Sequence, residues 1–178
     1  GTGDFTIECW IQPTNNSNYQ GIIGAKAYVA TGTSNILVQI SNSGRLRLVD
    51  ASSLDQSGKT SLWNGEWHHI AVTRTSGTLR AFVDGHKEIE VTHTNSLDWG
   101  NTTIGLTDGG GTYNSQYDFI GFMSNVHVVK GTSLYTTHFT PEYSPIKLHT
   151  NSVLLTCTSA SSVTEDLTGR HTITASGG

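Results

Sequence analysis

The sequence predicts an all-β fold, a two-sheet antiparallel jelly-roll sandwich. About a dozen short apolar segments follow one another along the 178 residues, with Gly, Asn, Ser and Thr between them, as is typical of strands joined by tight turns. No segment keeps a helical period. No apolar run approaches the ~18 residues that a membrane-spanning helix needs, so we expect no insertion into a membrane.

The first predicted strand, residues 4–12, alternates apolar and polar side chains. Phe5, Ile7, Cys9 and Ile11 share one face, which we expect to be buried. A buried strand needs partners at both edges. We therefore expect its backbone to be paired by a late strand of the same chain or by a neighbouring subunit.

A three-strand meander is predicted near the middle of the chain. Its strands are residues 66–74, 78–84 and 87–92. Ser76-Gly77 joins the first two strands. Asp84-Gly85 joins the second and third, and suits a type I′ hairpin because both of its positions take positive φ.

The remaining strands and loops follow from the same turn signals. Further strands are predicted at residues 21–27, 35–41, 45–49, 102–106, 117–129, 152–158 and 171–175. Residues 14–19, 50–65, 108–116 and 132–144 are predicted to be loops, where function on such a scaffold usually resides.

Charge and cysteine content exclude some partners and leave one question open. The net charge is −4 and no Lys/Arg cluster occurs, so nucleic acid is not an expected partner. Cys9 and Cys157 both lie in strand-like segments, where a thiol usually acts as a small hydrophobe. A disulfide between them is an alternative if the two strands are neighbours.

Several segments resemble the laminin G-like, or concanavalin A-like, family of domains. The matching residues are 3–10, the segment from Trp67 to Gly85, and residues 119–131, 134–141 and 154–157. The resemblance implies a single domain over residues 1–178 with a concanavalin A-like jelly roll. The run 119–141 is similar to repeats of phage tail and marine bacterial surface proteins, which implies an extracellular or virion-surface location.

The sequence departs from the family at its start. The family normally has one more strand before the Phe5 segment, and residues 165–173 resemble the segment that often precedes that strand. We therefore expect the sequence to be part of a longer or tandem protein. A missing strand would also leave a sheet edge open for pairing. This keeps a structural role open, in which the domain contacts copies of itself or neighbouring subunits of a fibre.

The loop from Asp108 to Asp118 is the predicted sugar-binding site. Tyr113 and Tyr117 offer flat rings for stacking, while Asp108 and Asn114 offer oxygens and an amide for sugar hydroxyls. A flexible turn whose aromatics cap the sandwich is the alternative.

Two tryptophans and a calcium ion are further candidates for the predicted sugar-binding site. Trp63 and Trp99 lie in turns and are the next candidate platforms, although capping is an equal alternative, whereas Trp67 is expected in the core. Oxygens of Asp108, Asn114 and Asp118 could also hold Ca²⁺.

Catalysis is not expected. Glu88 and Glu90 share a strand face at ~6.6 Å, a separation that a glycoside hydrolase could use, but exposed carboxylates on a solvated face are the more ordinary explanation. His68 and His69 point to opposite faces and cannot chelate one ion together. The leading hypothesis is a non-catalytic carbohydrate-binding or adhesion module of a viral fibre or cell-surface protein. Its partner would be a glycan or a cell-surface receptor.

Overall fold

The computed structural model describes residues 1–25, 36–50, 53–100, 102–106, 115–143, 145–161 and 163–175. These residues contain no α-helix, and none of their helical turns is long or apolar enough to cross a membrane. The strands are β1 (Phe5–Pro13), β2 (Gln20–Ala25), β3 (Leu37–Ile40), β4 (Leu46–Val49), β5 (Asp55–Ser57), β6 (His68–Thr75), β7 (Thr78–Val83), β8 (His86–Thr92), β9 (Thr102–Ile104), β10 (Gly121–Lys130) and β11 (Ser152–Thr156).

The strands form two antiparallel sheets, as predicted. One sheet has the order β11-β10-β1-β6-β7-β8 and the other β5-β4-β3-β2-β9. The chain divides into two compact units. The first unit contains the five-stranded sheet, and the second contains the six-stranded sheet apart from the ends of β1 and β10.

The first strand is paired at both edges within the chain. It lies between β10 and β6, with Phe5 opposite Arg74 and Ile11 opposite His68. Pairing by a late strand of the same chain is thus confirmed. Strand β10 occupies the second edge of β1, so β1 offers no open edge, and pairing of another sheet edge with a copy of the chain or a neighbouring subunit stays a prediction.

Both predicted hairpin turns of the meander are confirmed. Ser76 and Gly77 have φ of 47° and 77°, and Asp84 and Gly85 have φ of 51° and 76°. Asp84 also accepts a hydrogen bond from the backbone N–H of His69 at 2.8 Å. The turn is therefore tied to the neighbouring strand by a side chain as well as by its own geometry.

Residues 131–143, called the strap below, cross one face of the six-stranded sheet. Thr6 Oγ1 donates to the carbonyl of Thr132 and accepts from the N–H of Leu134. Thr73 Oγ1 donates to the carbonyl of Tyr135 at 2.8 Å. Thr6 and Thr73 are register partners, so the strap covers the face opposite Phe5 and its apolar neighbours.

Some sequence predictions need correction. Residues 171–175 form no strand, and the N–H of His171 bonds locally to Asp166 Oδ2. The loop predicted at 50–65 contains the short β5, whose three side chains are exposed and carry no apolar pattern. The strand predicted from residue 117 begins at Gly121, and Trp67 is 42% exposed instead of lying in the core.

Cys9 and Cys157 are free thiols. Strand β1, which carries Cys9, is not a neighbour of β11, which precedes Cys157. Strand β10 lies between β1 and β11, and Cys157 follows the end of β11. Cys9 is buried, and burial raises the pKa of its thiol. Cys9 therefore acts as a small core side chain, in agreement with the first of the two alternatives.

Candidate functional site

The predicted sugar-binding loop is only partly described. Asp108, Tyr113 and Asn114 lie outside the described residues, so their roles in sugar or calcium binding stay predictions. Tyr117 is half-buried at the end of a 3₁₀ turn, Ser115–Tyr117. Asp118 is half-buried beside it.

The base of this loop is closed by backbone pairing. Leu106 and Asp118 form an isolated antiparallel bridge, and the N–H of Phe119 donates to the carbonyl of Gly105 at 2.8 Å. Gly105 has φ of 75°, a conformation that glycine adopts without strain. These bonds hold Tyr117 next to the five-stranded sheet.

Tyr117 belongs to a cluster that the sequence did not reveal. Its ring centroid lies 6.3 Å from that of Tyr19, the residue directly before β2. The guanidinium carbon of Arg47 lies 5.0 Å from the Tyr19 centroid. Arg47 Nε and Nη2 donate to the two carboxylate oxygens of Asp55 at 2.8 and 2.7 Å. These four residues are called the Tyr19 patch below.

The strand pattern explains why Arg47 reaches this patch. Arg47 lies between Leu46 and Leu48, which are fully buried, so its side chain points to the other face of the sheet. Its register partners are Gln39 and Ser57. A row of polar residues therefore crosses this face, in contrast to the apolar face behind it.

Gln20 fixes the two segments that carry the tyrosines. It is fully buried, and its Nε2 donates to the carbonyl of Thr14 and to Asn16 Oδ1 at 2.7 and 3.0 Å. Its Oε1 accepts from the N–H of Ile120 at 3.0 Å. One amide thus braces the loop before Tyr19 and the segment after Tyr117. Such support fixes the position of the surface that carries the two tyrosines.

The electrostatics of the patch are set by its ion pair. The hydrogen bonds from Arg47 hold the pKa of Asp55 below its ordinary value. The Asp55 side chain is 61% exposed, whereas that of Arg47 is 19% exposed. The patch therefore combines a half-buried cation, an exposed carboxylate and two aromatic rings, which suit hydrogen bonding and stacking with a polar ligand.

Trp63 and Trp99 lie in segments between strands, each directly before a bend or a turn. The Trp63 ring packs over Gly44, where an added Cβ would lie 2.7 Å from the ring. This contact favours the capping role for Trp63. The carbonyl of Trp99 accepts a hydrogen bond from Thr102 Oγ1 at 2.6 Å, and its half-buried ring stays a predicted sugar contact.

The two glutamates considered for glycoside hydrolysis lie on β8. The pairing register between β7 and β8 shifts by one residue at Glu88. Glu90 accepts hydrogen bonds from Lys87 Nζ at 2.7 Å and from Arg80 Nε at 2.8 Å. The bond from Lys87, followed by that from Arg80, lowers the pKa of Glu90. A general acid needs the opposite shift, so the site favours a surface ion pair.

A buried polar cluster lies in the six-stranded sheet. His127 Nδ1 is 2.8 Å from Glu8 Oε1, and His127 Nε2 is 2.7 Å from Ser152 Oγ. The hydroxyl of Tyr135 donates to Glu8 Oε2, and His69 Nε2 lies 3.2 Å from the same oxygen. Sequence reasoning missed this cluster because its members are distant in the chain and meet only through the order of β1, β6, β10 and β11 and the path of the strap.

The Ser152–His127–Glu8 series has the spacing of a nucleophile, its base and an orienting acid, but its surroundings fit a structural role. Ser152 is 4% exposed, and its Oγ accepts from the N–H of His149 at 2.7 Å. Glu8 is 3% exposed. Burial alone would raise the pKa of Glu8, but hydrogen bonds from His127, His69 and Tyr135 outweigh it and lower the pKa to about 2. An ionised, fully bonded carboxylate here anchors the strap.

The histidine pair behaves as predicted. His68 Nδ1 lies 2.7 Å from Asp84 Oδ2, whereas His69 approaches Glu8. Neighbouring strand residues thus use different partners. Within the described ranges, no group of three His, Cys, Asp or Glu side chains could hold a metal ion.

Comparison with known families accounts for this architecture. Residues 1–133 match the model of a family described as the concanavalin A-like lectin/glucanases superfamily. The chain belongs to this superfamily. The sequence resemblance and the predicted fold class are thereby confirmed. No curated protein sequence matches the chain.

Several solved structures share the fold at low sequence identity. A proposed carbohydrate binding protein from Bacteroides ovatus ATCC 8483 is 19% identical with a TM-score of 0.70, over 95% of this chain and 50% of that one. The chain thus spans about half the length of that relative. The CBM40 of the IT-sialidase from Ruminococcus gnavus is 14% identical with a TM-score of 0.56, over 75% of this chain and 79% of that one. Domains LG4-5 of mouse laminin alpha1 are 16% identical with a TM-score of 0.53, over 80% of this chain and 42% of that one.

Proposed function

We propose that this chain is a non-catalytic carbohydrate-binding or adhesion module, part of a longer viral-fibre or cell-surface protein that acts outside the cell. The observation that carries the proposal is the Tyr19 patch, where two rings, a half-buried arginine and an exposed carboxylate share one face of the five-stranded sheet. Sugars bind through flat apolar faces on aromatics and hydroxyls on charged or amide groups. Superfamily membership supports the same function.

The two tyrosines have different roles in this proposal. One face of the Tyr19 ring is taken by the Arg47 guanidinium, so Tyr19 orients Arg47 through a cation–π contact. Tyr117 is tilted by 55° from Tyr19 and offers the ring on which a sugar stacks. The predicted residues Tyr113 and Asn114 directly precede this 3₁₀ turn in the sequence, and their part in sugar binding stays a prediction.

A glycan array probed with the purified domain tests the proposal. We expect detectable binding of at least one glycan. Absence of binding to every glycan, with calcium present and with calcium removed by EDTA, would contradict the proposed function.

Calcium is part of the proposal through Asp108, Asn114 and Asp118. We expect EDTA to weaken glycan binding and added Ca²⁺ to restore it, because hard oxygen ligands need the cation to hold the loop. Isothermal titration with and without EDTA measures this effect. An affinity that EDTA does not change removes calcium from the proposal and leaves the Tyr19 patch.

Substitution of Tyr117 should weaken binding without unfolding the domain. We expect Tyr117→Ala to lose about 1–3 kcal/mol of binding free energy, the usual range for an aromatic anchor. Tyr117→Phe should keep most of the affinity if stacking is the main contribution. Tyr143, which is 87% exposed and belongs to the second unit, provides the control Tyr143→Ala. Equal affinity of Tyr117→Ala and wild type would move the site to Trp63 or Trp99.

A further inference from the structure

We infer that the Tyr19 patch selects neutral glycans and rejects those that carry a carboxylate or sulfate. This inference rests on the proposed function, since it names the class of sugar that the same site takes. It is carried by the way in which Arg47 and Asp55 are paired.

Arg47 is already engaged by the kind of group that an acidic sugar would present. Its Nε and Nη2 form two parallel hydrogen bonds with Asp55, at 2.8 and 2.7 Å. This two-bond geometry is the one through which an arginine recognises a carboxylate ligand. An acidic sugar that binds these same two donors would have to displace Asp55, and the displaced carboxylate would then repel it.

A neutral sugar meets no such competition. Each carboxylate oxygen has about two acceptor positions, and Arg47 uses one on each oxygen of Asp55. The remaining positions lie on a side chain that is 61% exposed, so they can accept hydrogen bonds from sugar hydroxyls. The Arg47–Asp55 pair then supplies fixed hydrogen-bonding groups beside the Tyr117 ring.

The charge of the whole chain acts in the same direction. The net charge is −4, with 14 acidic and 10 basic residues. A negative protein does not attract anionic glycans at long range. Binding of an acidic glycan would therefore depend on a local cation, and in this patch Asp55 neutralises Arg47.

The experiment compares wild type with Asp55→Asn on an array that holds each neutral glycan beside its sialylated or uronylated form. Asparagine keeps the shape of Asp55 and removes its negative charge. We expect wild type to bind neutral forms at least 10-fold more tightly than their acidic partners. Asp55→Asn should bind acidic forms at least 10-fold more tightly than wild type does, with an increase that falls as salt rises.

A matched variant separates local from global charge. Glu66 is exposed and belongs to the same unit, and Glu66→Gln removes one negative charge outside the patch. We expect its array profile to equal that of wild type. A wild-type preference for acidic glycans that Arg47→Ala abolishes would overturn the inference and leave the proposed function standing. Failure of wild type to bind any glycan would instead overturn both.

Discussion

Gly85→Ala is expected to lower the free energy of unfolding by at least about 3 kcal/mol, at the severe end of the range for single substitutions. An added Cβ would lie 1.8 Å from the carbonyl oxygen of Phe139 in the strap. The N–H of Phe139 also donates to the carbonyl of Gly85 at 3.0 Å. The strap must therefore move away from the hairpin, and the Phe139 ring must lose its edge contact with Phe82 on β7, where the centroids are 5.4 Å apart.

A second glycine isolates the backbone contribution from the clash. Gly131, at the start of the same strap, has φ of 82°, but an added Cβ would meet nothing within 4 Å. Gly131→Ala should therefore lose only about 1–2 kcal/mol, the cost of a left-handed conformation for alanine. Urea denaturation measures both variants. If Gly85→Ala is no less stable than Gly131→Ala, the close packing of the strap on the hairpin is wrong.

Removal of the Glu8 carboxylate is expected to be nearly as damaging. Glu8→Ala should lose about 3 kcal/mol, because the donors on His127 and Tyr135 would be left buried without their acceptor. Glu165→Ala, at an exposed position in the same unit, should change the stability by less than about 0.5 kcal/mol. Equal stability of the two variants would contradict the role assigned to the buried cluster.

The same cluster predicts a pH dependence. The pKa of Glu8 is lowered from its ordinary value of 4.5 to about 2, so the folded state favours the ionised form. The stability that Glu8 contributes is therefore complete above pH about 4.5 and is lost as the pH falls toward 2. Glu8→Gln should show a shallower loss of stability than wild type across this window. Parallel curves for the two proteins would assign the acid sensitivity to other carboxylates.

Local chemistry made most of the fold predictable. Ser76-Gly77 and Asp84-Gly85 specify their hairpins by themselves, and the alternation of Phe5, Ile7, Cys9 and Ile11 specifies a strand with one buried face. The failures have tertiary causes. Strand β5 has no apolar pattern and is held by pairing with β4, and residues 171–175 have strand-like composition but no neighbouring strand to pair with in the described part of the chain.

The candidate site was less predictable than the fold. Tyr117 was identified because it lies in a loop rich in Gly, Asn and Tyr. Tyr19, Arg47 and Asp55 were missed, since they come from three separate segments that meet through the order of β2 to β5. One signal was available in the sequence, because Arg47 between Leu46 and Leu48 marks a strand residue that faces away from the core. Nothing in the sequence around Glu8 indicated that its carboxylate is buried, because its burial depends on the distant strap.

An NMR titration of the ¹⁵N-labelled domain tests the central claim most directly. The probe is the neutral glycan that gives the highest array signal. We expect chemical shift changes concentrated at Tyr19, Arg47, Asp55 and residues 115–118, with the same dissociation constant at each position. Shift changes confined to the second unit, with none at the Tyr19 patch, would contradict this expectation.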